Sequence, residues 1–330
     1  MKEQRQSNIE VLRILCMFLI VLGHSFVFYE RAIGDYPLKW FNLNVFFPII
    51  IIHVNVFVLI SGYFGLSIKL NKIMNLWLLC FFYSLLAFCV VIFHSNISVQ
   101  VWKSLLFPLT YNWWFMRVYF MLLILSPALN IVVKYADEQS QWTRLLLIAF
   151  LFNFYFSWFH RLEGLYAMGY DICNFCCLYL LGRYIAYHRI ILSTRFLLLL
   201  FFFFQIIKII CFKYCSLFPA LKHFLDVSCY NNPLNVFSAV IILILFIRWR
   251  IGWRNAMVNK IASSCISVYL ITELPVVRNA LSILLRNLYD NMVDKVLYSF
   301  LKILLLLSIF ILCIVIDKIR LWLFKKLSLI

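Results

Sequence analysis

The stretch NIEVLRILCMFLIVLGHSF, Asn8 to Phe26, decides the fold. From Ile14 to Gly23 it holds no charged side chain, and beyond His24 and Ser25 the apolar character runs on to Tyr29. A helix needs about 20 such residues to cross a hydrocarbon layer roughly 30 Å thick. The run follows a short basic start (Lys2, Arg5) and lacks a small-residue cleavage site, so it reads as a retained first span, not a signal peptide.

The same pattern recurs along the chain. Of 330 residues, 65 % are hydrophobic, 19 % aromatic and 13 % charged, with a mean hydropathy of +0.96. A soluble domain of this size has too little interior for so much apolar surface. In lipid every backbone polar group must be satisfied within a helix or a closed barrel. The apolar runs are continuous rather than alternating, which selects helices. The expected spans are 9–29, 41–65, 73–93, 113–133, 143–159, 169–187, 196–215, 233–249, 258–285 and 297–324. The expected fold is therefore an all-α integral membrane protein, a bundle of about ten transmembrane helices. The fifth span is short, Pro275 predicts a kink in the ninth, and 97–110 reads as an interfacial helix leading into the fourth. No connecting segment is long enough for a soluble domain and no internal repeat is visible, so residues 1–330 read as a single membrane domain.

The net charge of +17 is spread along the chain and not gathered into a patch. Basic residues punctuate the apolar runs, as helix-end anchors and contacts to anionic lipids do, so membrane lipids are the expected partner and nucleic acid is not. With the N-terminus in the cytoplasm, the inside segments hold the larger share of Lys and Arg, among them Lys69, Lys72, Arg183, Arg248 and Lys325. An even number of spans then places both termini in the cytoplasm, with the bundle in the inner (plasma) membrane. Cysteines such as Cys80, Cys89, Cys211 and Cys313 lie in apolar runs and act as small hydrophobes. Cys173, Cys176 and Cys177 cluster on one expected span, but no second ligand pair accompanies them, so no metal is expected.

Ionisable groups inside a membrane are costly enough to be functional candidates. The first span holds Glu10, Arg13 and His24. At about 100° per residue, the step from Arg13 to His24 is three turns plus about 20°, so both face one side. Glu10, three residues before Arg13, lies within ion-pair reach. His24 sits about 16 Å deeper than Arg13, at the inner end of a polar stripe. A neutral imidazole there is able to take a proton from a hydroxyl or to carry an acyl group. Read blandly, the same residues are a helix-end anchor and a hydrogen-bonded core histidine. Lys69 and Lys72 follow the second span, where two amines suit the phosphates of a nucleotide-like donor; singly, each also reads as positive-inside anchoring. His53, Arg117, Asp171, Glu273 and Arg278 are further polar residues within expected spans. Glu273 is in reach of His24 or of Arg278, about one turn on, and the sequence leaves both pairings open. His94, His160, His188 and His223 fall near span ends and read as interface residues.

These residues, in this order, resemble the acyltransferase 3 family of membrane-bound acyltransferases that modify surface polysaccharides. Glu10, Arg13 and His24 match its acid–x–x–Arg and, eleven residues on, His. FVLISGYFG (Phe57–Gly65), WWFMRVYFMLLILSPALN (Trp113–Asn130), LYLLGRYI (Leu178–Ile185), YNNPL (Tyr230–Leu234) and SVYLITELPVVR (Ser267–Arg278) resemble its later landmarks. The resemblance covers nearly the whole chain. It implies transfer of an acyl group, usually acetyl, from cytoplasmic acyl-coenzyme A to a hydroxyl of a surface glycan or its lipid-linked precursor. It also implies that His24 is the catalytic centre supported by Arg13 and Glu10, with Arg13, Lys69 and Lys72 on the donor phosphates. Four positions depart from the family's pattern: Lys69 and Lys72 replace a pair that is often arginine, Thr272 stands where relatives often have His, and Arg117 lies where some have an acid. The rival reading is a glycan flippase or transporter, for which repeated halves with matching broken helices would be the sign.

Overall fold

A computed structural model describes residues 5–29, 33–92, 99–164, 167–188, 190–215, 217–218 and 221–327. Of the described residues 80 % are helical, and none is in a strand. The long helices are α1 (Ser7–Tyr29), α2 (Lys39–Phe64), α3 (Leu70–Ile92), α4 (Trp114–Glu138), α5 (Trp142–Phe159), α6 (Ile172–Tyr187) and α7 (Thr194–Tyr214), then α8 (Pro233–Arg248), α9 (Ala256–Thr272), α10 (Pro275–Asn291) and α11 (Lys295–Lys326). Seven are long and apolar enough to cross a bilayer; α9 and α10 pass that test together, and α6 and α8 are shorter apolar helices. In α5 and α7 only 17 % of the most apolar window is buried. Side chains such as Leu199, Phe202 and Leu304 face outward, at 70 %, 61 % and 58 % exposure. Lipid is the solvent that makes such a surface stable. The protein is an all-helical, multi-pass membrane protein.

Two expected spans differ in detail. Asp171, expected inside the sixth, is instead the N-cap of α6 and accepts from Asn174 N–H at 2.9 Å. The ninth is not a kinked helix but two helices that meet at 83°. Leu274 is extended, as a residue before proline prefers, and Pro275 opens α10 at a position where its missing N–H costs nothing.

The chain groups into two compact units. The first comprises residues 1–16, 44–68 and 118–254. Its central feature is the approach of α2 to α6. A Cβ on Gly62 would overlap the Tyr179 carbonyl, and one on Gly182 would overlap the Leu59 carbonyl. Glycine at both points lets the two backbones touch, the usual device for packing helices in lipid, where no hydrophobic force draws them together. Polar groups lock the ends. Tyr179 Oη donates to Asn130 Oδ1 at 2.6 Å and accepts from Leu66 N–H at 3.1 Å, while Asn130 Nδ2 donates to Leu66 O at 2.7 Å. Gly65 ends α2 at φ 75°, a backbone shape that a side chain would strain. The YNNPL segment works as a clamp. Asn232 caps α8, Asn231 donates to Ser157 Oγ at 2.9 Å, and Asn55 donates to Tyr230 O at 2.8 Å.

The second unit comprises residues 17–43, 69–117 and 255–330. Tyr29, Ile33, Leu281 and Leu285 form one apolar cluster in it. α11 supplies three buried charges, Lys302, Asp317 and Arg320. Asp317 accepts from Tyr83 Oη at 2.9 Å, Ser267 Oγ at 2.7 Å and Arg320 Nε at 2.8 Å. Lys302 Nζ donates to Tyr36 Oη at 2.8 Å and faces the Phe26 and Tyr36 rings at 5.0 and 4.6 Å. Ionised groups persist at this depth only with such partners.

The glycine contact gives a direct test. Gly62→Val and Gly182→Val each place a side chain against backbone, which cannot rotate away. Each should lower stability by about 1–3 kcal/mol or more, read as a fall in the thermal unfolding midpoint of the detergent-solubilised protein.

Candidate functional site

Two breaks in helical geometry build the site in the second unit. α1 keeps α-helical turns to His24 and then widens into a π turn over Ser25–Tyr29. Wide turns of this kind re-aim the side chains beside them. The second break is at Glu273, which ends α9 just before the bend into α10. Backbone carbonyls near this bend find side-chain donors. Tyr29 Oη donates to Thr272 O at 3.3 Å and Trp113 Nε1 to Leu270 O at 3.1 Å. Irregular backbone at membrane depth depends on such protein partners.

His24 and Glu273 meet at these breaks. His24 Nδ1 lies 2.7 Å from Glu273 Oε1, with the side chains 17 % and 7 % exposed. The other carboxylate oxygen, Oε2, pairs with the Arg278 guanidinium from the second turn of α10. Arg278 in turn stacks over the Phe28 ring, 4.8 Å from its centre, and the His24 ring is 5.4 Å from Phe28. The result is an Arg–Glu–His chain folded around one aromatic ring. Both pairings left open by the sequence are made, one by each carboxylate oxygen.

The chemistry of this arrangement follows from the two ring nitrogens. A carboxylate facing Nδ1 favours the tautomer with its proton there, which leaves Nε2 with a lone pair. No partner for Nε2 is found among the described residues. Arg278 fixes the orientation of Glu273 through their ion pair. A histidine so held is suited to accept a proton at Nε2 and to stabilise its own positive charge through Glu273.

The other candidates fall in three places. Glu10 and Arg13 pair directly: Arg13 Nη1 donates to Glu10 Oε1 at 2.7 Å, and Arg13 lies 5.6 Å above the Phe64 ring in the first unit. His24 stands on the same helix, α1. Lys69 and Lys72 are exposed at the start of α3, in the second unit, where Lys69 O accepts the Lys72 and Ile73 amides. Thr272 is buried, and its hydroxyl donates to Val268 O at 2.9 Å within its own helix. Of the remaining polar residues, Arg117 is exposed and His53 is buried beside Tyr230, with ring centres 6.1 Å apart. His160 and His188 cap α5 and α6. His94 lies outside the described residues, and of His223 only the backbone is described. Among the described residues no three His, Cys, Asp or Glu side chains gather as a metal site.

Sequence reasoning placed Glu273 among the intramembrane polar residues but left it out of the catalytic set. The signal that marks it is the tripeptide Glu273-Leu274-Pro275, an acid just before a proline inside an apolar run. That combination predicts a carboxylate at a helix break.

One comparison with known proteins gives a match. The acyltransferase 3 family model, whose description is an acyltransferase domain, matches residues 6–318. Neither the curated proteins nor the solved structures give a match.

The shared carboxylate should show as non-additivity. Glu273→Gln and Arg278→Ala each remove one partner of the pair, so a double-mutant cycle on unfolding free energy should give a coupling of about 0.5–3 kcal/mol. A coupling of zero would mean that the ion pair does not hold the bend.

Proposed function

Because the chain belongs to the acyltransferase 3 family, we propose that this membrane acyltransferase moves an acyl group, acetyl in the simplest case, from cytoplasmic acyl-coenzyme A to a glycan hydroxyl. The acceptor is a cell-surface glycan or its lipid-linked precursor. The observation that carries the residue assignment is the 2.7 Å contact between His24 Nδ1 and Glu273. The protein sits in the inner membrane with about ten spans and both termini in the cytoplasm, as the distribution of Lys and Arg supports.

His24 is the catalytic base. Its Nε2 takes the proton of the acceptor hydroxyl as the oxygen attacks the thioester carbonyl. The carbon–sulfur bond breaks, the ester forms, and the imidazolium returns its proton to the leaving thiolate. Glu273 stabilises the imidazolium between these steps, and Arg278 holds Glu273 in place. The donor's phosphates are assigned, on sequence grounds, to Arg13, Lys69 and Lys72. Lysines act there as point charges without the two-pronged geometry of arginine. Glu10 orients Arg13 through their ion pair. Family membership gives the flippase reading no support.

Purified enzyme with acetyl-coenzyme A and glycan acceptor separates these roles. His24→Ala should reduce kcat by roughly 10²–10⁴-fold, the usual contribution of a positioned base. Glu273→Gln should lower kcat with little change in KM for either substrate. Lys69→Ala and Lys72→Ala should instead raise KM for the donor. A His24→Ala enzyme that inserts normally and acylates at the wild-type rate overturns the assignment.

A further inference from the structure

Apart from the histidine site, the first unit carries two adjoining apolar grooves. The larger, about 800 Å³, runs between the ends of α6 and α8 and the start of α7, with Ile185, Leu192, Ile244 and Ile247 in its walls. The smaller, about 580 Å³, lies between α1, α7 and α8, against Leu15, Leu198, Leu245 and Phe246. Two residues, Thr194 and Arg248, line both. Arg248 therefore stands on the ridge between them.

The rim of this ridge is cationic and aromatic. Arg248 is fixed by donating to Leu192 O at 2.6 Å and to Ile190 O. Arg250 lines the smaller groove and lies against a pair of touching indoles, 5.4 Å from the Trp249 ring and 5.3 Å from the Trp253 ring. Its backbone is left-handed, at φ 46°, a shape that an ordinary side chain adopts only when its surroundings impose it. The surroundings here are a tight turn, closed by Trp253 N–H on Arg250 O at 2.9 Å and tied to α1 by Ser7 N–H on Trp253 O at 3.2 Å. Asn8 Nδ2 adds a bond to Phe246 O at 2.8 Å. The turn thus holds a charged head against two tryptophans, next to two apolar troughs, with no carboxylate among the described residues that line either one.

We propose that this double groove is a binding site for one anionic phospholipid, with an acyl chain on each side of the Arg248 ridge and the headgroup phosphate at Arg248 and Arg250. Two features favour a lipid over the phosphates of a soluble nucleotide. The smaller groove below the cations is walled by Val11, Leu15, Leu198, Ile242, Leu245 and Phe246, where a nucleotide base and ribose would find few hydrogen-bond partners. The tryptophans sit beside the cation, as such residues do at the headgroup level of a bilayer. Arginine at such a level gains about 1 kcal/mol from an anionic surface, equal to about a fivefold change in affinity.

Native mass spectrometry of the full-length protein, titrated with phosphatidylglycerol or phosphatidylcholine, tests this. The wild type should retain one phosphatidylglycerol per chain in preference to phosphatidylcholine. Arg250→Ala should weaken that retention about fivefold, and Leu198→Trp, which fills the smaller groove without touching a charge, should weaken it as well. Lys134→Ala removes an exposed cation elsewhere in the same unit and should leave retention unchanged. Equal retention of the two lipids by the wild type overturns the proposal, as does full retention by Arg250→Ala and Leu198→Trp. Displacement of the bound lipid by coenzyme A, but not by inorganic phosphate, also overturns it, because the grooves would then belong to the donor.

Discussion

A carboxylate at membrane depth has no water to stabilise it, and Glu273 survives there because each of its oxygens has a partner, His24 on one side and Arg278 on the other. That constraint orders much of the second unit. The carboxylate is delivered by a break between α9 and α10, and the break leaves backbone groups that Tyr29 and Trp113 help to satisfy. The imidazole is delivered by the π turn that follows it in α1. Phe28, from that same turn, covers Arg278. The ion-paired chain and the two helix irregularities meet at one place in the second unit.

The same rule governs the remaining buried polar groups. Asp317 gathers donors from α3, α9 and α11 itself. Lys302 is capped by a tyrosine hydroxyl and aromatic faces. In the first unit, buried Lys208 donates to Gln205 Oε1 at 3.1 Å, and Gln205 donates to Ser238 Oγ at 3.1 Å. Where no charge is involved, close packing takes over. Gly62 and Gly182 bring two backbones into contact, and the Tyr179–Asn130–Leu66 ring ties off the end. Hydrogen bonds and backbone contact bind this bundle because apolar burial, already supplied by lipid, does little between helices.

Much of this was legible in the residues. Long apolar runs report a helix's existence well, and the helices α1 to α8 and α11 lie close to the expected segments. The Glu10–Arg13 pair was legible because it depends only on helical spacing. The role of Glu273 was not, because it depends on an 83° bend. Pro275 signals a disturbance but not its angle, and with a mere kink Glu273 would have stayed on a helix face. Asp317, Lys302 and Arg320 were hidden for another reason. They lie in the most apolar helix of the chain, so hydropathy averages them away, and apart from the Asp317–Arg320 pair their hydrogen-bond partners come from distant segments.

The central claim is that Glu273 sets the tautomer of His24, and ¹⁵N NMR of histidine-labelled protein tests it most directly. The His24 signals would be assigned by their loss in His24→Ala. When the imidazole is neutral, its proton should sit on Nδ1 in the wild type, and that preference should be lost in Glu273→Gln. A proton on Nε2 in the wild type, or His24 signals that are the same in both proteins, would contradict it.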